Sequence, residues 1–168
     1  MTRSTVGSSL PEGSPETASN PDYALIREFL ARGGPPRPFD SNPLARELGA
    51  QLLRADAVGG TVDLAFEPGP RFLQGNGCVQ GGIVAAMLDF ALAFAVLARL
   101  EPGYTHATAS FSVNLLLPAR VGRYRAHGRI ERMGKRLAFA SASLVREGTG
   151  ETVATATGVM ALRHPKTS

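Results

Sequence analysis

The stretch GGIVAAMLDFALAFAVLA, residues 81–98, decides the fold. Its 18 residues carry one charge, Asp89, and eight of them are glycine or alanine. That length lies near the lower limit for a membrane span. A carboxylate near the bilayer centre would cost about 2.5–3.5 kcal/mol even on a lenient scale. No second apolar run accompanies it, and strand-like segments follow. The stretch therefore reads as the core helix of a soluble domain. A helix that is apolar nearly all round must be covered nearly all round. Pro102-Gly103 is expected to stop it.

Working outward, residues 49–58 and 60–68 read as two strands turned at Gly59-Gly60. A loop rich in Pro and Gly joins them to the helix. After the helix, residues 105–119, 123–134, 136–148 and 151–163 alternate or are rich in β-formers, with Pro or Gly between them. They are expected to form an antiparallel meander. Upstream, Asn20-Pro21-Asp22 opens a short helix ended by Gly33-Gly34, and Asn42 caps a second with Pro43 at its first position. The fold class is α+β: an antiparallel sheet of about six strands wrapped around a long central helix. Such a sheet covers one side of the helix and leaves an edge open. A partner subunit is expected to finish the burial.

The 168 residues suit one domain. Thirteen of the first 22 are Ser, Thr, Gly or Pro, so residues 1–21 read as a disordered tail before a single domain over 22–168. The tail has no apolar core of a secretory signal, and a cytoplasmic location is expected. The net charge is +4, but arginine is scattered and no Lys/Arg run exists. Nucleic acid is thus not an expected partner, while a small phosphorylated ligand is compatible. A lone cysteine, Cys78, excludes an internal disulfide. It is expected to be a buried structural residue. The three histidines show no metal-binding spacing. His106 reads as a sheet-end residue. Arg120, Arg123, Arg125, Arg129, Arg132 and Arg136 mostly read as a solvated sheet edge. Met87, Leu88, Phe90 and Phe94 read as core or as walls of a ligand pocket.

Chemistry is sought where a polar group breaks an apolar pattern. Asp89 shares its helix face with Gly82, Ala85, Ala86, Leu92 and Ala93, four of them small. A purely structural aspartate there needs a donor or cation against its desolvation, and the helix offers no base beside it. The alternative is a carboxylate left free as nucleophile or general base. Gly81-Gly82 opens the helix, where unpaired amides favour an anion or a developing oxyanion. Gly81 and Asp89 are eight residues apart, about 12 Å along the axis. A reacting carbon must lie about 3 Å from both its nucleophile and its oxyanion donors. One helix cannot serve it, whereas two antiparallel copies can. Any catalytic site is therefore expected to be shared across a homodimer interface.

The run Gln74-x-x-Gly77-x-x-Gln80-Gly81-Gly82, with Asp89 on the following helix, resembles the hotdog-fold thioesterases. The PaaI-like (phenylacetyl-CoA thioesterase) branch is closest, alongside the 4-hydroxybenzoyl-CoA thioesterases. Their usual pattern is Asn/Gln-x-x-Gly-x-x-His-Gly-Gly, then Asp or Glu nine residues after the His. The likeness spans residues 42–163 and includes Leu117-Pro118-Ala119 and Gly134-Lys135-Arg136-Leu137-Ala138-Phe139. The resemblance implies hydrolysis of acyl-CoA by a homodimer or a dimer of dimers. The CoA thioester would be substrate, with no cofactor and no metal. It implies that Asp89 acts as nucleophile or general base and that the Gly81 amide polarises the thioester carbonyl. Gln74 would lie near that carbonyl or the attacking water, and Thr108 would help hold the water. Asn76 and Gly82 would contact substrate, and Gly134, Lys135 and Arg136 would contact the pantetheine or phosphates of CoA.

One position departs from the pattern: the family histidine is Gln80 here. An amide can orient a thioester by hydrogen bonds but cannot switch charge near neutral pH. Two other readings therefore stand beside hydrolysis. One is an acyl-CoA-binding module that does not cleave its ligand. The other, which the Gln80 motif disfavours, is a hotdog dehydratase acting on 3-hydroxyacyl thioesters. The acyl group is not legible in the sequence.

Overall fold

A computed structural model describes residues 20–39 and 42–163. The expected tail and His164 lie outside the described residues, apart from Asn20 and Pro21. In chain order the elements are α1 (Pro21–Arg32), β1 (Arg37–Pro38), α2 (Pro43–Glu47), β2 (Gln51–Asp56), β3 (Thr61–Phe66), α3 (Gly81–Arg99), β4 (Thr105–Leu115), β5 (Tyr124–Met133), β6 (Leu137–Arg146) and β7 (Thr152–Arg163). A single 3-10 turn, Pro70–Phe72, precedes α3. The caps lie where the sequence places them. The Asn20 side chain accepts from the Asp22 amide at 3.0 Å, and Asn42 accepts from Leu44 and Ala45 at 3.1 and 3.3 Å.

Among the described residues the sheet has seven strands, one more than expected, because the two-residue β1 adds to the edge of β2. Its order is β1-β2-β3-β5-β6-β7-β4, with every pairing antiparallel. The expected four-strand meander is corrected here. Only β5, β6 and β7 run as a meander; β4 pairs with β7 and not with β5. The reason is geometric. The chain leaves α3 at its far end, and β3 already has β5 beside it. Residues 105–115 thus close the opposite side of the wrap and become an edge strand. The alternating pattern announces strands but does not say which neighbour each will choose.

α3 lies in the concave face. Val84, Met87, Leu88, Ala91, Leu92, Phe94 and Ala95 are buried. Tyr124, Ala126, Ala138, Ala140, Leu144, Ala154, Ala156 and Met160 come up from the strands to meet it. The inward strand residues are mostly alanine, which lets the helix come close. Closest of all is Gly128, where an added Cβ would sit 2.1 Å from the Ala91 carbonyl oxygen. At one flank Phe39 stacks on Phe94 with ring centroids 4.4 Å apart, and Phe90 joins edge-on.

The β4 side is finished less well. β4 bonds to β7 along one edge, and its other edge has no strand among the described residues. Phe111 (40 % exposed), Leu115 (57 %), Leu116 (55 %) and Leu117 (44 %) lie along this border. An 11-residue edge strand flanked by bare apolar side chains invites pairing with another chain.

Candidate active site

Asp89 occupies the half-covered face of α3. The strip Ala85, Ala86, Asp89 and Ala93 is only half-buried, while the residues behind it are buried. From β4, the Thr108 hydroxyl donates a hydrogen bond to Asp89 Oδ1 at 2.9 Å. Among the described residues no cation forms an ion pair with this carboxylate. One neutral donor therefore orients it and leaves its second oxygen uncommitted. The structure brings Asp89 and Thr108 together directly.

The glycine-rich loop lies at the other end of the same helix face. Its shape comes from backbone bonds. The Gln74 amide donates to the Cys78 carbonyl at 2.7 Å, Gly77 donates back to Gln74 at 2.9 Å, and Leu73 bridges Val79. Gly77 takes a positive φ of 71°, a conformation that glycine adopts without strain. The Val79 amide ties the loop to the Ala119 carbonyl at 2.6 Å. A cleft of about 420 Å³ results, lined by Gln74, Asn76, Cys78, Gly81, Leu115 and Leu117 among others. Cys78 lines this cleft half-buried, which corrects the expectation of a buried structural thiol.

The helix start faces the same cleft. Gln80 is the residue before the first turn; its carbonyl accepts from the Ile83 and Val84 amides at 2.9 and 3.2 Å, and its side chain makes no capping bond. The Gly81 and Gly82 amides lie ahead of the first intrahelical bonds and are not spent on the helix. Gly81 stands against Leu115, where an added Cβ would lie 3.0 Å from the leucine methyl. Gly82 is exposed. Gln74, Asn76 and Gly81 thus gather at one cleft, and Asp89 with Thr108 lies two turns away.

Gly134 and Lys135 belong to neither group. They turn β5 into β6 and line a cavity of about 250 Å³ with Arg99, Glu101 and Tyr104, at the C-terminal end of α3. Arg136 is exposed beside them, its carbonyl accepting from the Leu162 amide at 2.8 Å. Within one chain the residues singled out from the sequence therefore form three clusters strung along α3.

A Pseudomonas aeruginosa protein described as a candidate esterase is 33% identical over 126 residues, covering 74% of this chain and 91% of that protein. This chain belongs to the thioesterase superfamily. The sequence pattern of that superfamily matches residues 76–153, from the loop through β4 to the start of β7. Among solved structures, a candidate thioesterase from Ralstonia eutropha, described as related to phenylacetic acid degradation, is 31% identical. It superposes with a TM-score of 0.70 over 81% of this chain and 98% of its own. A thioesterase family protein of Silicibacter pomeroyi is 27% identical, with a TM-score of 0.69 over 83% and 97% of the two chains. The wrapped sheet and core helix are thus the hotdog fold. The general reaction class of this superfamily member is acyl-thioester hydrolysis.

One further polar residue lies on the candidate site's side of the helix. His106, expected at the end of a strand, faces inward on β4, on the same side as Thr108. Its register partner on β7 is the buried Leu162. Burial holds its pKa below the usual 6.5, partly offset by the Asp89 carboxylate, which raises it. The available signal was its spacing of two residues from Thr108, which puts both side chains on one face. The arginines are solvated as expected but do not mark a sheet edge: β5, which carries Arg125, Arg129 and Arg132, lies between β3 and β6, and their side chains stand on its outer face. Arg123 and Arg125 pair with the half-buried Glu147, and Arg129 with the exposed Glu131.

Proposed function

We propose that this chain hydrolyses acyl-CoA thioesters at a site assembled from two copies of itself. The observation that carries the reading is the division of one helix face. An oriented carboxylate, Asp89, stands about 12 Å along α3 from the free amides and cleft at Gly81. Neither half can turn over a thioester alone, since the carbonyl needs both within about 3 Å.

The bare edge of β4 supplies the remedy. A two-fold antiparallel pairing of β4 with its copy sets the two α3 helices side by side and antiparallel. The small strip Ala85, Ala86 and Ala93 lets them approach. Gly81 of one copy then faces Asp89 of the other, and the centre of the pairing falls near Phe111, the middle of the strand. The third cluster fits the same arrangement. Arg99 lies ten residues beyond Asp89, about 15 Å along the axis. That is comparable to the reach of an extended pantetheine arm. A thioester held at Asp89 thus directs its phosphates toward the Arg99, Lys135 and Arg136 end, where cations suit them.

The chemistry follows from the residues. The Gly81 amide of one copy donates to the thioester oxygen and stabilises the charge that develops there. Asp89 of the other either attacks the carbonyl carbon, forming an anhydride that water then opens, or takes a proton from water that attacks in its place. Thr108 holds Asp89 in both cases. In both the carbon–sulfur bond breaks, its electron pair leaves on sulfur, and the CoA thiolate takes a proton from solvent. A thiol of ordinary pKa about 8.5 leaves without a dedicated acid. The reaction is therefore compatible with an amide at position 80. Gln74 and Asn76 border the cleft that receives the acyl end.

The test is thiol release across a panel of aromatic, short and medium-chain acyl-CoAs. Hydrolysis of one or more members, lost in Asp89→Asn, is expected. Mixing Gln74→Ala and Asp89→Asn subunits should restore part of the activity that each lacks. Gln80 keeps one alternative open: a wild type that binds acyl-CoA tightly and releases no thiol from any member is a binding module.

A further inference from the structure

The outer face of the sheet takes no part in the scheme above. One row of polar side chains crosses it in register: Arg54 on β2, Asp63 on β3, His127 on β5, Ser143 on β6, Thr155 on β7 and Asn114 on β4. Their chain neighbours Leu64, Ala126, Leu144 and Ala156 are buried toward α3, so alternation puts the row on the outside.

The middle of this row has the chemistry of an acyl-transfer site. His127 Nδ1 lies 2.7 Å from Asp63 Oδ1. An ionised carboxylate only accepts, so Nδ1 carries the proton and Nε2 of the neutral ring keeps its lone pair. Asp63 and Ser143 flank the histidine on opposite sides. Ser143 stands directly across from it, where paired Cβ atoms are about 5 Å apart. Neither Nε2 nor the Ser143 hydroxyl bonds to another group among the described residues. Ser141, two residues earlier, differs: its hydroxyl donates to Glu131, which also holds Arg129. On the far side of Ser143, Thr155 faces it from β7. The Thr155 hydroxyl accepts from Asn114 Nδ2 at 3.5 Å, which leaves its own proton to donate. A cavity of about 420 Å³ lies over this part of the row, lined by His127, Ser143 and Thr155 together with Arg129, Ser141 and Thr157.

We propose that Asp63, His127 and Ser143 form a second acyl-transfer site, separate from Asp89, which takes the acyl group of small activated esters onto Ser143. His127 Nε2 removes the hydroxyl proton as Ser143 Oγ attacks the acyl carbon. The Oγ–carbon bond forms, the bond to the leaving oxygen breaks, and its electron pair leaves on that oxygen. The imidazolium returns the proton to the leaving group or to solvent. Thr155 donates to the carbonyl oxygen as charge develops there. Water then opens the acyl-serine with the same base, releasing the acid and restoring Ser143. Asp63 is a positioning residue that keeps Nε2 on the side of the serine. The amides of these strands are committed to the sheet ladder, so a single hydroxyl serves the oxyanion. Esters with a good leaving group are therefore the class within reach.

The test is incubation of the full chain with p-nitrophenyl acetate, read by p-nitrophenolate release and by peptide mass mapping of the quenched reaction. Wild type and Asp89→Asn should both carry acetyl on Ser143, since the helix carboxylate plays no part. Ser143→Ala should lose the adduct in this peptide, and His127→Gln should slow its formation about 10²-fold. Asp63→Asn should slow it about tenfold, as loss of one charged hydrogen bond does, and Asp63→Glu should restore part of the rate. A wild type whose Ser143 stays unmodified, with p-nitrophenolate release untouched by Ser143→Ala, overturns the proposal. Acetylation of Ser143 that is equally fast in His127→Gln, or that disappears in Asp89→Asn, overturns it too. Because the reading of Asp89 is not used, a chain that hydrolyses no acyl-CoA leaves these outcomes fully decisive.

Discussion

The two long sides of α3 are covered in opposite ways. Toward β5, β6 and β7 the contact is dry and close: Gly128 admits the Ala91 carbonyl, and a row of alanines floors the groove. Toward β4 the cover is incomplete and polar, with Asp89, Thr108 and His106 behind a border of half-bare Phe111 and Leu115. The first side is where the fold draws its stability. The second leaves buried polar groups partly unsatisfied, and a site that must meet a substrate is found on such a side. The same helix thus serves as core on one side and as reactive surface on the other.

The largest test of that contrast is Asp89→Asn. Thiol release should fall about 10²–10⁴-fold, the usual range for an acid–base group, with the unfolding midpoint nearly unmoved. A large loss of stability with modest loss of rate would place Asp89 on the structural side. Next comes Phe111→Asp, a charge at the middle of the open edge. Sedimentation should show the assembly dissociating and activity falling with it, since the monomer lacks half of each site. A variant that stays active as a monomer would break the shared-site reading.

Gly128→Ala probes the opposite side. The new methyl meets the Ala91 carbonyl, and overpacking of this kind costs about 1–3 kcal/mol or more in denaturant unfolding. Thr108→Val should reduce kcat about tenfold, in line with one hydrogen bond to a charged group, and Thr108→Ser should restore most of it. The smallest effect concerns pH. His106 binds protons less readily folded than unfolded, so the unfolded chain holds more protons just below its ordinary pKa. Stability should therefore fall as pH drops below 6.5 toward the folded value, then level off. The slope should flatten in His106→Gln, measured by urea unfolding across that range.

Reading of the helix succeeded because its pattern is local. An apolar run, a single carboxylate, glycines at its start and Pro102-Gly103 after its end all act within a few turns. The caps at Asn20 and Asn42 were legible for the same reason. The partner of β4 was not, because alternation marks a strand and its buried face without marking its neighbour. Cys78 was misplaced because a loop residue's burial depends on what packs over it. His106 is legible as a sheet-end residue and no further, because nothing near it in sequence shows that β4 lies along α3 on the side that carries Asp89.

The chain's order of residues, on its own, settled that there is one oily helix with an acid in it, strands enough to wrap it, and glycines at its mouth. These follow from periodicity and from the cost of an exposed apolar surface, which operate over short spans. Tertiary structure decided that β4 is the outer strand, that its Thr108 bonds to the acid, and that His106 lies on the same face of that strand. Those outcomes depend on which distant segments come to lie side by side, and packing of the whole domain makes that choice.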